Sequence, residues 1–157
     1  MELNIDAIRA VLQYIKDNTT YSGSLRTGKQ YFTQREIIKD IEPTKQYTSD
    51  DIAYSIELLI DTNLIQFVEP VKFGPAGELF MVKIRRLTIE GYSFLEQTQN
   101  PTVWEAIKIK AKATGQYSLK GLATLGATLG TAMLTDPNAI QNFIQGTQNV
   151  AHMIPGL

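Results

Sequence analysis

Between residues 64 and 87 the apolar repeat of the chain changes character, and that change limits the fold more than any other feature. Upstream, Ile5, Ile8, Leu12 and Ile15 recur at helical spacing. From Leu64 onward, "LIQFVEPVKF" and "ELFMVKIRRL" are rich in β-branched and aromatic residues, and "GPAG" separates them as a Gly/Pro turn. Helical segments that give way to two strands joined by a tight turn imply an α+β domain with a β-hairpin.

Boundary signals divide the helical part into three. The first helix runs from about Asn4 to Asn18 and stops at "NTTYSGSLRTG". The second begins at Thr33, where "TQRE" offers a capping box between Thr33 and Glu36. It ends at or before Glu42, because Pro43 disfavours a helical conformation in the residue before it. The third, "TSDDIAYSIELLID", is capped by Thr48 or Ser49. Three helices followed by a hairpin wing is the winged-helix order. After the hairpin, "LTIEGYSFLEQ" reads as a further helix, about Thr88 to Thr98. Asn100–Pro101 and Asp136–Pro137 each place a capping side chain before a proline at the first helical position. The chain is thus expected to be mainly helical, with a winged-helix domain over residues 1–99 and a helical extension over residues 100–157.

Composition removes several functional classes. With no Cys there is no disulfide scaffold, Cys-ligated zinc site or thiol chemistry. The one His, His152, supplies no nucleophile–base pair and no His-rich metal site, and neither "GPAG" nor "GATLG" continues into a phosphate loop. No catalytic residues, metal or cofactor are expected. The amphipathic, acid-bearing N-terminus is unlike a signal peptide, and the weakly charged stretch from Ser118 to Leu134 is short for a membrane span. A soluble protein of the bacterial cytoplasm, with no membrane partner, is the expectation.

The net charge of −1 conceals a segregation: residues 49–70 hold five acids and no bases, whereas residues 71–120 hold eight bases and four acids. On a wheel of about 100° per residue the third helix turns Ile52, Ile56, Leu59 and Ile60 to the core. Asp50, Tyr54, Glu57 and Asp61 line up on the far side. Phosphates repel such a face, and carboxylates have few base partners in a DNA groove. It is either a solvated surface or a docking face for a protein with a basic surface, with Tyr54 as an aromatic anchor. Lys72, Lys83, Arg85 and Arg86 cluster on or beside the hairpin, with Lys83 and Arg85 on one face by alternation. Arg26, Lys29, Arg35, Lys39 and Lys45 precede the third helix. These bases either solubilise the hairpin or grip DNA phosphates.

The helix from Ser118 to Leu134 carries a stripe of Leu122, Leu125, Leu129 and Met133, flanked by Gly126 and Gly130. Glycine in mid-helix costs about 1 kcal/mol relative to Ala, so close approach of another helix is the natural compensation. In the last helix Ile140, Phe143, Ile144, Thr147, Ala151 and Ile154 trace a second apolar face. Packing onto the rest of the chain and self-association into a homo-oligomer both account for this, and self-association through Leu122, Leu125, Gly126, Leu129, Gly130, Met133 and Phe143 is the favoured expectation.

Leu87, Thr88, Gly91, Phe94 and Leu95, then Val103, Trp104 and Lys108, then Ser118 and Leu119 give the chain a resemblance to the domain of unknown function 2513 family. Tyr92 stands where a His is expected after the Gly. The resemblance implies a winged-helix-like fold and an origin in phages and prophages of Gram-positive bacteria. It brings no reaction and no catalytic residues. Phe94 and Trp104 read as core side chains. The function expected is that of a non-enzymatic, phage-type accessory protein that binds another protein and modulates a host or defence factor. The alternative is a DNA-binding regulator that uses the basic wing.

Overall fold

The computed structural model describes residues 2–19, 31–41, 46–115 and 117–145; Arg26, Lys29, Lys45, His152 and the end of the last helix lie outside these. The chain forms two compact units, Met1–Leu95 and Glu96–Leu157, so the boundary falls inside a helix and a few residues before the Asn100 anticipated from sequence.

In the first unit, α1 (Ile5–Asn18) starts at Asn4, whose side chain accepts a hydrogen bond from the Ala7 N–H. Ala7, Ile8, Val11, Leu12 and Ile15 form its buried stripe. A two-residue strand, β1 (Phe32–Thr33), leads directly into α2 (Gln34–Ile41). The Thr33 hydroxyl accepts from the Glu36 N–H at 3.2 Å, as the "TQRE" spacing suggested. Next come α3 (Ser49–Asp61) and the hairpin of β2 (Ile65–Phe73) and β3 (Leu79–Leu87). The three strands form one antiparallel sheet in the order β1-β3-β2.

The core of this unit lies where α1 packs on α2, α3 and β3. Ile37, Ile52, Ile56, Leu59, Ile65 and Ile84 are fully buried there. At about 25 cal/mol per Å² of apolar area removed from water, burial of these side chains together with the α1 stripe stabilises the unit. The architecture is α+β and mostly helical, as the change of period implied.

The turn from α3 into β2 uses a left-handed residue. Thr62 closes the last helical turn by donating to Leu58 O at 3.0 Å, Asn63 follows at φ 60°, and the Leu64 N–H returns to Leu59 O at 3.1 Å. Asn tolerates this conformation better than most side chains.

Thr88 starts α4 (Ile89–Gln99), which begins in the first unit and ends in the second. The second unit continues with α5 (Pro101–Ala113) and α6 (Leu119–Met133), and residues 139–145 are helical again. The expected caps are in place. Asn100 accepts from the Thr102 and Val103 N–H groups, Ser118 from Gly121 and Asp136 from Asn138. α5 packs on α6, burying Val103, Trp104, Ala106 and Ile107 together with Leu119, Leu122, Leu125 and Leu129.

Candidate functional site

A reciprocal cap fixes the start of α3. The Thr48 hydroxyl accepts from the Asp51 N–H at 3.1 Å, and the Asp51 carboxylate accepts from the Thr48 N–H at 3.2 Å. Asp51 is thereby engaged in holding the helix. Ile52, Ile56 and Leu59 are buried as the wheel required, while Ile60 is only half-buried. Ser55 is buried in the same stripe, its hydroxyl satisfied by the Asp51 carbonyl at 2.6 Å.

On the outward side Asp50 and Asp61 are exposed, and Tyr54 and Glu57 are half-buried. Among the described residues no cation forms an ion pair with Asp50, Glu57 or Asp61. Helix energetics explain Asp50, because the amino end of a helix favours an anion. They do not explain Asp61. It lies in the last turn, where the carboxyl end of the helix dipole disfavours negative charge, and that turn holds no basic residue.

The hairpin carries the opposite charge. Gln66 pairs with Arg86 and Phe67 with Ile84, which leaves Arg85 as an extra residue without a partner on β2. This one-residue bulge lets Arg85 and Arg86 both face solvent while Ile84 and Leu87 stay buried. Strict alternation had grouped Lys83 with Arg85 and could not foresee it.

Two of the four bases are engaged within the chain. Lys83 lies 4.7 Å from the centre of the Tyr31 ring, and the Arg86 Nε donates to Gln66 Oε1 at 2.8 Å. Lys72 and Arg85 are exposed, and Lys72 is paired across the strands with Met81. Beside these bases the hairpin exposes Phe73 to 60% and Met81 to 41%.

The self-association residues mark a different site. Leu122, Leu125, Gly126, Leu129 and Phe143 are buried within their own chain, Gly130 is half-buried, and Met133 is exposed. The glycines receive a side chain of the same unit, Gln97. Its amide donates to the Gly126 carbonyl at 2.8 Å, and its Nε2 lies 3.1 Å from where a Cβ on Gly130 would stand. Within the chain described, Leu122, Leu125, Gly126 and Leu129 lie in a helix that packs against α5 and meets Gln97. A lone Gln on α4, two helices upstream, gives no periodic signal, so sequence reasoning missed it.

Among the described residues there is no cluster of His, Asp or Glu able to hold a metal ion, and no helix is long and apolar enough to cross a membrane.

The residues that carry the family resemblance have structural work. Thr88 accepts from the Gly91 N–H at 3.0 Å, donates to the Asn63 carbonyl at 3.0 Å, and pairs its N–H with Leu64 O at 3.1 Å. Leu87, Phe94, Leu95, Val103, Trp104 and Leu119 are buried, and Ser118 is a cap. Lys108 bridges to Glu105 at 3.0 Å and lies 5.8 Å from the centre of the Trp104 ring. Tyr92, at the position where a His was expected, is partly exposed.

The chain belongs to the family described as "Hypothetical protein (DUF2513)", which matches residues 2–117. It is similar to a protein of Haemophilus influenzae titled "Uncharacterized protein", with 27% identity over 136 residues that span 85% of this chain and 99% of the relative. No solved structure matches it.

Proposed function

We propose that this chain is a non-enzymatic binding protein whose first unit is a winged-helix scaffold, and that α3 offers its acidic face to a protein partner with a basic surface. The element order α1-β1-α2-α3-β2-β3 and the sheet order β1-β3-β2 support the scaffold reading, with the hairpin as the wing. One observation carries the binding reading: around Tyr54, the carboxylates of Asp50, Glu57 and Asp61 have no ion-pair partner among the described residues. Asp61 is also charged against the field of its own helix. Tyrosine ringed by charge is a common interface anchor, and complementary charge speeds encounter and selects partners.

The role that fits is that of a phage-type accessory protein which engages a host or defence factor in the bacterial cytoplasm. The test is capture from bacterial lysate by the tagged full chain, set beside Tyr54→Ala/Asp61→Lys. The variant should keep its helical signal and lose the captured protein. Capture at full strength by the variant would sink the proposal.

A second reading, DNA binding through the wing, rests on the exposure of Lys72, Arg85 and Arg86. On that reading Arg85→Ala/Arg86→Ala should weaken a duplex shift for every sequence and flatten its salt dependence by roughly one unit per lost phosphate contact. Absence of a shift with any duplex at low salt retires it.

A further inference from the structure

We infer that the basic surface that fits the α3 face is the β2–β3 hairpin of a second copy of this chain, so that copies dock head to tail. The inference rests on the α3 reading above and identifies its partner. Two patches of the first unit match in two respects. In charge, α3 presents Asp50, Glu57 and Asp61, and the hairpin presents Lys72, Arg85 and Arg86 with Lys83 half-buried beside them. In apolar content, the acids surround Tyr54, while the bases flank Phe73 and Met81, exposed to 60% and 41%. A merely solubilising hairpin has no need of two large apolar side chains among its charges. Those side chains and Tyr54 would form the dry centre of a contact whose rim is ionic.

Within one chain the two patches leave each other unused: among the described residues, no ion pair joins an α3 acid to a hairpin base. Nucleic acid is the less suitable occupant of the hairpin, because the same unit carries unpaired carboxylates and the whole chain has a net charge of −1. Because the patches differ, each copy has one of each. The contact joins unlike patches, so it either closes reciprocally in a two-fold pair or propagates until a larger ring closes or concentration limits it. Its ionic rim is exposed, so salt should dissolve it.

The test is sedimentation velocity on the full chain. At low salt, about 20 mM, the weight-average mass should rise with concentration, and at about 0.5 M salt it should return to the 17.5 kDa of one chain. Asp50→Lys/Asp61→Lys leaves two basic patches and Lys72→Glu/Arg85→Glu leaves two acidic ones, so each variant alone should stay monomeric at low salt. An equimolar mixture should associate again, with its mass rising above that of either variant alone, because each variant supplies the charge that the other lacks. The single changes Asp61→Lys and Arg85→Glu serve in the same pairing if a double variant loses its helical signal.

A wild-type chain that is monomeric at every salt concentration, variants that associate as the wild type does, or a mixture that stays monomeric would each overturn the inference. So would a monomeric wild type whose hairpin shifts a DNA duplex. If self-docking fails while Tyr54→Ala/Asp61→Lys still abolishes capture of another protein, this inference falls alone. If both fail, the α3 reading falls with it.

Discussion

Gly91 of α4 sits so close to the Leu64 carbonyl that a Cβ on it would collide with that oxygen. The contact is backbone against backbone, and Thr88 fixes it from both sides by pairing with Leu64 O and Asn63 O. Neither partner can swing away as a side chain would. Gly91→Ala should therefore destabilise the protein by about 2–4 kcal/mol, although Ala is the better helix former by about 1 kcal/mol. Chemical denaturation of the two proteins checks this, and a midpoint at or above that of the wild type would show that the backbone yields.

Gly126 and Gly130 of α6 should behave differently from each other. A methyl on Gly126 would collide with the Gln97 side-chain amide and disturb its bond to the Gly126 carbonyl. Gly126→Ala is expected to cost about 1–2 kcal/mol. A methyl on Gly130 would meet only Gln97 Nε2 at 3.1 Å, the far end of a flexible side chain. Gly130→Ala should be neutral or stabilising by up to about 1 kcal/mol. Adding Gln97→Ala to Gly126→Ala should recover part of the loss, which a double-mutant cycle measures. Equal effects of the two alanines would contradict the assignment of the glycines to Gln97.

Tyr14 gives the fold a signature at high pH. Its hydroxyl donates to Asp40, and its ring meets Phe32 edge-on at 5.5 Å between centres. Burial pushes its pKa up, and the hydrogen bond to Asp40 and the charges of Asp40 and Glu36 push it the same way. A raised pKa means that the folded state holds the proton after the unfolded chain has released it. The stability this contributes is fully present below the ordinary tyrosine pKa of about 10 and is lost as pH rises toward the folded value. Tyr14→Phe should cost about 1 kcal/mol at neutral pH, the worth of one half-exposed hydrogen bond. Above pH of about 10 the difference between the two proteins should shrink. Parallel stability curves from neutral to alkaline pH would refute the coupling.

Much of this architecture is legible in the residues, for reasons that differ between elements. Thr48, Asn100 and Ser118 mark helix starts because a short polar side chain there satisfies backbone N–H groups that have no partner within the helix. The hairpin announces itself through "GPAG". β1 was not legible, since two residues cannot display a period and Thr33 reads equally as the cap of α2. The acidic stripe of α3 followed from the wheel, but the half-burial of Tyr54 and Glu57 did not, because it depends on neighbours distant in sequence. The α6 stripe was read correctly as an apolar face. That Gln97 and α5 meet it within the chain was not legible, since they reach it only through the tertiary fold.

The bulge at Arg85 separates what the hairpin shows from what it buries. If Arg85 is removed, Ile84, Arg86 and Leu87 face Phe67, Gln66 and Ile65 in unbroken succession. The inward residues keep their places, and the surface loses a single positive charge. A one-codon deletion at this point would thus change the electrostatics of the hairpin while leaving the hydrophobic register intact.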